Sequence, residues 1–133
     1  MKETIDKIKE IIIEELNCEA IVLFGSYSRN TQNEESDIDI AFKSKREISK
    51  KEIFYLKQEL EEVAKKEIDL INLDDIGDAF RYEILINGNT LYCENELKFE
   101  LYKLDMYREF LELNEGRMSI IERIKKGDTI YGE

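Results

Sequence analysis

Two aspartates, Asp37 and Asp39, stand one residue apart in the alternating segment DIDIAF at 37–42. Side chains i and i+2 of a strand lie on the same face, so both carboxylates project together while Ile38 and Ile40 point into the core. Two ionised carboxylates this close raise each other's pKa unless a cation of high charge lies between them. The pair therefore predicts a divalent metal site, and oxygen ligands favour Mg²⁺ or Mn²⁺ over zinc.

A third aspartate interrupts another apolar strand pattern further along the chain. Asp69 stands between Ile68 and Leu70 in the segment EIDLINL at 67–73. A carboxylate in this position costs the strand an apolar side chain, as Asp37 and Asp39 do. We therefore expect Asp69 to be the third metal ligand.

A glycine and a serine, Gly25 and Ser26, follow the apolar run AIVLF at 20–24. Glycine lets a backbone approach a phosphate closely, and a helix that starts near Ser26 offers free N–H groups and a hydroxyl to an anion. An ordinary strand end followed by a helix cap is the alternative interpretation of this pair alone. What favours a phosphoryl-transfer site is the order: strand, Gly-Ser, ten residues, paired aspartates in a strand and a further aspartate in a third strand.

The composition narrows the possible chemistry and partners. The 133 residues include 31 acidic and 20 basic side chains, a net charge of −11, and no histidine. Without histidine, Ser-His and Cys-His nucleophiles and the usual zinc sites are excluded, and the negative charge argues against direct nucleic-acid binding. Apolar runs of at most five residues predict no membrane span. Two cysteines without C-x-x-C spacing, Cys18 and Cys93, and an N-terminus unlike a signal peptide predict a cytoplasmic location.

Hydrophobic periods divide the chain into alternating helices and strands. They predict a single domain, 1–133, of the α+β (α/β-like) class, with a small mixed sheet of three to four strands packed with helices. The Asn87-Gly88 pair predicts a helix end with glycine in the left-handed conformation. The predicted helices cover 4–16, about 50–65 after a capping box at Ser49–Glu52, 78–86 and a C-terminal segment at about 96–126; the predicted strands cover 20–24, 37–42, 67–73 and 90–93.

The C-terminal helical segment is unusually rich in large apolar side chains. Core packing is the preferred interpretation of this richness, and contact with a partner is the alternative. The residues concerned are Tyr102, Leu104, Tyr107, Phe110 and Leu111.

The constellation of Gly25, Ser26, Asp37, Asp39 and Asp69 resembles the signature of DNA polymerase β-type nucleotidyltransferases. The segments FGSYSR, SDIDI and ILINGNTLY are most similar to those of minimal nucleotidyltransferases, the MntA-type antitoxins usually encoded beside a HEPN-domain toxin. This resemblance covers nearly all of residues 1–110 and implies the polymerase β-like nucleotidyltransferase fold. One departure is Asn30, where many relatives have glycine; asparagine tolerates the left-handed conformation, so we expect the turn to persist.

The resemblance also implies an activity, namely transfer of AMP from ATP to a tyrosine of a HEPN ribonuclease toxin by two-metal catalysis. Asp37 and Asp39 would bind both Mg²⁺ or Mn²⁺ ions, and Asp69 would complete the shell of the second ion and take the proton.

The resemblance further implies which residues bind the nucleotide. Gly25 and Ser26 would contact the triphosphate, Arg29 would stabilise the leaving pyrophosphate, and Ser36 would contribute hydrogen bonds at the strand start. A surface salt bridge is an alternative role for Arg29.

Two other functions remain open from the sequence. A small-molecule nucleotidyltransferase of the aminoglycoside-modifying kind would use the same site, although the chain lacks a sizeable additional domain to complete an acceptor pocket. An antitoxin that acts by binding alone would need no chemistry, although all three candidate metal-binding aspartates are present.

Overall fold

Helices and strands alternate along the chain much as the sequence predicts. The computed structural model describes residues 2–25 and 37–115. In these ranges the elements are α1 (Lys2–Leu16), β1 (Ala20–Phe24), β2 (Ile38–Lys43), α2 (Lys50–Ala64), β3 (Ile68–Asn72), α3 (Asp78–Asn87), β4 (Asn89–Cys93) and α4 (Glu96–Glu115).

The four described strands form one mixed sheet in the order β3-β2-β1-β4. The central strand β1 is antiparallel to both β2 and β4, whereas β2 and β3 are parallel and are joined by α2. Parallel neighbours need a crossover connection, and a helix commonly provides it. The predicted α+β class with a small mixed sheet is therefore confirmed, and the predicted edge strand at 90–93 corresponds to β4.

Each face of the sheet is covered by a pair of helices. Alternate residues of β2, namely Ile38, Ile40 and Phe42, are fully buried in the cluster formed with α1 and α2. Ala41 points the other way, into a second cluster with residues of α3 and α4. Because Asp39 and Ala41 are two apart, Asp39 lies on the α3 and α4 face.

Local side-chain chemistry sets two of the predicted helix ends. Ser49 begins α2 as its N-cap, and its Oγ accepts a hydrogen bond of 3.1 Å from the Glu52 backbone N–H. Asn17 follows α1 in the left-handed conformation, with φ of 49°, and its N–H donates to the carbonyl oxygen of Ile13. The boundary at Ser49 was predicted from the capping box, and the end of α1 agrees with the predicted range 4–16.

The prediction of a left-handed Gly88 is wrong. Its φ is −82°, which any residue can adopt, so backbone conformation is not what requires glycine there. A Cβ on Gly88 would lie 2.5 Å from Val22 Cγ1 and 2.6 Å from the Ile84 carbonyl oxygen. Glycine is needed because α3 turns directly into β4 against the backbone of β1.

The C-terminal helix α4 packs only part of its apolar surface onto the domain. Phe99 is buried, and Tyr102 and Met106 pack against the same cluster, whereas Leu104 and Leu111 are exposed. Core packing is therefore the wrong interpretation for those two leucines. The predicted helix at 96–126 is confirmed to residue 115, and the rest of that segment lies outside the described residues. None of the described helices combines the length and the apolar content that crossing a bilayer requires.

Replacing Gly88 with serine should lower the free energy of unfolding by about 1–3 kcal/mol, because the new side chain must displace Val22 and backbone carbonyls. Gly77→Ser is the matched control, since Gly77 is the N-cap of α3 and a Cβ there meets nothing within 4 Å. Serine is a favoured N-cap, so this control should be neutral or slightly stabilising. Urea denaturation of both variants measures the difference, and equal losses would contradict the packing role of Gly88.

Candidate active site

Strand pairing brings two of the predicted aspartates together. Asp39 in β2 is the direct register partner of Asp69 in β3, and on its other side it faces Phe24 in β1. Paired residues of neighbouring strands lie about 5 Å apart and project to the same face. Asp37 precedes β2 by one residue and is exposed, as is Asp69, while Asp39 is half-buried. The three carboxylates thus lie at one end of two adjacent strands.

The electrostatic environment of Asp39 is unfavourable for its charged form. Burial, followed by the negative charges of Asp69 and Asp37, raises the pKa of the Asp39 carboxyl above its ordinary value. This is the perturbation expected when carboxylates share a site without a neutralising cation. A divalent ion bound among these oxygens would favour the charged form of Asp39 and would offset the rise in its pKa that both neighbours cause.

The donor chemistry of this group fits Mg²⁺ or Mn²⁺, because all three side chains offer carboxylate oxygens. Over residues 2–25 and 37–115, however, no three acidic or cysteine side chains are arranged so that they could hold an ion together. The aspartates therefore supply the charge and the donor type, and their assembly into one ligand set stays a prediction.

Gly25, at the end of β1, adjoins the aspartates through its backbone. Its φ is +73°, a conformation that favours glycine, and an added Cβ would overlap the carboxylate of Asp39. From the sequence, we expected glycine here because it lets the backbone approach a phosphate closely. The structure shows a second reason, which is that the Asp39 side chain occupies the space where a side chain at position 25 would lie.

Three of the predicted site residues cannot be placed. Ser26, Arg29 and Ser36, predicted to bind the nucleotide, lie outside the described residues. Of the predicted site residues, Gly25, Asp37, Asp39 and Asp69 are described.

A cavity of about 490 Å³ opens beside Asp39 and Gly25. The remainder of its lining comes from Phe24 and from one face of α3. The rings of Phe24 and Phe80 meet edge to face, with centroids 6.0 Å apart. The residues that α3 contributes are Phe80, Glu83, Ile84 and Asn87.

The contribution of α3 to the cavity was missed by the sequence analysis. Positions 80, 83, 84 and 87 follow the i, i+3, i+4, i+7 spacing of one helix face, so the signal was present in the periodicity. The helix itself was predicted, but its packing beside β1 depends on tertiary contacts that periodicity does not encode.

Asp39→Asn should raise the free energy of unfolding of the metal-free protein at pH 7. Because the folded-state pKa of Asp39 is raised, the unfolded chain loses this proton first, and stability falls as pH rises from the unfolded-state to the folded-state pKa. Asparagine avoids that loss, so its advantage should vanish below the ordinary aspartate pKa of about 3.9.

Urea denaturation in chelator across a pH series measures this effect. Asp75→Asn provides the control, since Asp75 is an exposed aspartate in the turn at the opposite end of β3. A wild-type protein that is more stable than the Asp39 variant at pH 7 would show that the carboxylates do not repel as described.

Comparison with known proteins gives a consistent result. The family model described as "Polymerase beta, Nucleotidyltransferase" matches residues 6–97, a range that includes Gly25 and all three aspartates. A protein of Methanocaldococcus jannaschii named as a protein adenylyltransferase is 43% identical over 63 residues, which cover 47% of this chain and 68% of that protein. The protein adenylyltransferase MntA of Shewanella oneidensis is 28% identical over 104 residues, covering 78% of this chain and 74% of MntA.

A solved structure extends the likeness beyond the family model. A chain from a crystal structure described as a toxin–antitoxin with AMP-PNP has a TM-score of 0.79 and 26% identity, and the match covers 90% of this chain and 97% of that chain. Because the match covers so much of this chain, the likeness includes helices on both faces of the sheet. Since the family model spans well over half of the residues, this chain belongs to the polymerase β nucleotidyltransferase family.

Proposed function

We propose that this chain is an antitoxin that transfers AMP from ATP to a tyrosine of a cognate HEPN ribonuclease toxin. The observation that carries the proposal is the register pairing of Asp39 with Asp69 beside Gly25, in a member of a nucleotidyltransferase family. Relatives named as protein adenylyltransferases, MntA among them, support a protein acceptor over a small molecule. The similar toxin–antitoxin chain crystallised with AMP-PNP supports ATP as the donor.

In this proposal Asp37, Asp39 and Asp69 hold the divalent ions, Mg²⁺ or Mn²⁺. Bound ions of this kind neutralise phosphate charge and lower the pKa of an acceptor hydroxyl. Asp39 is the central ligand, since it is half-buried on a sheet strand between the other two carboxylates and Gly25. A rigid strand fixes its oxygens, which in-line attack on a phosphate requires.

The proposed reaction breaks a phosphoanhydride bond of ATP and forms a phosphodiester bond to tyrosine. The tyrosine hydroxyl oxygen forms a bond to the α-phosphorus of ATP, and the bond from that phosphorus to the oxygen bridging to the β-phosphorus breaks. Pyrophosphate leaves with the bonding electron pair. Asp69 accepts the phenolic proton and, being exposed, passes it to water.

Four residues are proposed to hold the nucleotide, of which Gly25 lies at the end of β1. Gly25 and Ser26 contact the triphosphate, Arg29 stabilises the leaving pyrophosphate and Ser36 adds a hydrogen bond. The cavity beside Gly25, of about 490 Å³, provides the space for the reactants, and Phe24 and Phe80 give it an aromatic wall.

Residues 1–133 are proposed to act as one nucleotidyltransferase domain in the cytoplasm. The supporting observations are the two unpaired cysteines, Cys18 and Cys93, and the use of ATP. Direct nucleic-acid binding is not part of the proposal, since the chain carries a net charge of −11.

Mg²⁺ together with ATP should raise the melting temperature of the wild-type protein by several degrees. At ligand concentrations of about 100 times Kd, linkage contributes about 2.7 kcal/mol to the folded state. Asp39→Asn should lose most of this shift, whereas Asp75→Asn should keep it. Thermal unfolding with and without the ligands measures both, and an equal shift in the Asp39 variant would place the ions elsewhere.

The wild-type protein incubated with ATP, Mg²⁺ and a cognate HEPN protein should add AMP to a tyrosine of that protein and silence its ribonuclease activity. Asp37→Asn, Asp39→Asn and Asp69→Asn should each slow the transfer by about 10³-fold or more, with no further loss in a double variant, since the three act as one unit. Intact-mass spectrometry and an RNA-cleavage assay give the two readouts.

The same experiment separates the alternative functions. Variants that silence the toxin as well as the wild type, with no mass increase on the partner, would replace the enzymatic proposal with an antitoxin that acts by contact. Failure of the wild type to modify the HEPN protein, together with AMP transfer to an aminoglycoside, would favour the small-molecule enzyme.

A further inference from the structure

A row of exposed leucines runs along the outer face of α4. Leu97, Leu101, Leu104 and Leu111 are 70%, 52%, 50% and 45% exposed. Their 4-3-7 spacing is a heptad pattern that places them on one side of the helix, and Arg108 stands at the intervening heptad position. These four residues are called the leucine stripe. It extends about 21 Å along the helix, at 1.5 Å per residue.

The stripe is not part of the domain core. The side of α4 that packs against the sheet and α3 carries Phe99, Tyr102 and Met106, which the helical rotation of 100° per residue places opposite the leucines. A row of exposed leucines of this kind on a folded domain, interrupted here by the exposed Arg108, is typical of an interaction site. Knob-forming leucines at heptad spacing fit another helix better than they fit a strand or a small molecule.

Acidic side chains border the stripe on both sides. Helical geometry places Glu100 along one edge and Asp105 and Glu112 along the other, and all three are exposed. Of the neighbouring lysines, Lys103 is paired with Glu100 at 2.9 Å and Lys98 is paired with Glu19. Because Lys103 also neutralises Glu100, the acidic edge that remains is the one with Asp105 and Glu112. A helix that lies on the stripe gains from lysine or arginine along that edge of its own apolar row.

The same charges disfavour a second copy of this chain as the occupant. Two stripes packed together would bring two acidic borders into contact, in a protein whose net charge is −11. Like charges set against each other across an interface oppose association.

We propose that the leucine stripe docks a helix of the cognate HEPN toxin whose apolar row is flanked by lysine and arginine. The identity of the partner rests on the proposed function, while the helical, basic character of the docked segment rests on the stripe itself. The helix that carries the stripe packs beside the helix that lines the proposed catalytic cavity, since Tyr82 of α3 stacks on Phe110 of α4 with ring centroids 4.5 Å apart.

The test is the affinity of the full chain for the cognate HEPN protein, measured by calorimetry. The double variant Leu101→Ser, Leu104→Ser should bind about 10- to 100-fold more weakly than the wild type. Phe54→Ser is the matched control, since Phe54 is 56% exposed on α2, across the sheet from α4, and this variant should bind like the wild type.

A charge-reversal variant tests the acidic border. Asp105→Lys with Glu112→Lys should weaken binding and reduce its dependence on salt, whereas Glu62→Lys, an exposed site on α2, should leave both unchanged. Unchanged affinity in the border variant would overturn the basic character of the docked helix.

Several results would overturn the docking proposal. One is wild-type affinity of the leucine variant, and another is absence of binding between the wild-type proteins. A wild-type dimer that the variant abolishes, seen by light scattering, would show that a second copy covers it.

Intact-mass measurement of AMP on the HEPN protein in the same samples separates this proposal from the proposed function. AMP transfer with leucine-independent binding would overturn the docking surface alone. Leucine-dependent binding without AMP transfer would support the docking surface and overturn the enzymatic activity.

Discussion

The parallel pairing of β2 with β3 is the constraint on which the site depends, because it sets Asp39 beside Asp69. For scale, any two unit charges held at about 4 Å repel by about 1 kcal/mol in water and about 4 kcal/mol near a protein surface. On the opposite face of the same strands Ile38 and Ile68 are almost completely buried, and each contributes about 1.5–3 kcal/mol. Burial of the apolar neighbours is therefore large enough to hold the carboxylates together before any cation binds.

Two glycines permit close approaches around the site, one beside β2 and one beside β1. Gly25 ends β1 in a left-handed conformation and leaves room for the Asp39 carboxylate, while Gly88 lets α3 turn into β4 against the backbone of β1. The first close approach places backbone beside the carboxylates, and the second brings α3 over β1. The cavity beside Asp39 lies near these two contacts, and β1 and α3 supply most of its described lining.

Sequence periodicity predicted the elements and the shared face of Asp37 and Asp39, because period-2 and period-3.6 patterns are local. Periodicity could not predict which strands are neighbours or which residues pair across them. The proximity of Asp39 to Asp69 was therefore an expectation until the register was known. The predicted role of Gly88 was wrong for the same reason, since the atoms that exclude a side chain at that position belong partly to β1. Likewise, the apolar richness of α4 does not reveal from sequence which of its leucines face outward.

Charge balance links the site to the chemistry proposed for it. The described lining of the cavity includes two carboxylates, Asp39 and Glu83, and no lysine or arginine, and the exposed Asp37 and Asp69 add to the negative charge nearby. Binding of a triphosphate in so acidic a cavity requires added positive charge. In the proposed reaction that charge comes from divalent ions on the aspartates and from Arg29. Burial and the neighbouring carboxylates raise the pKa of Asp39 in the free protein. In the proposed reaction, nucleotide binding would therefore depend on divalent cations that offset this negative charge.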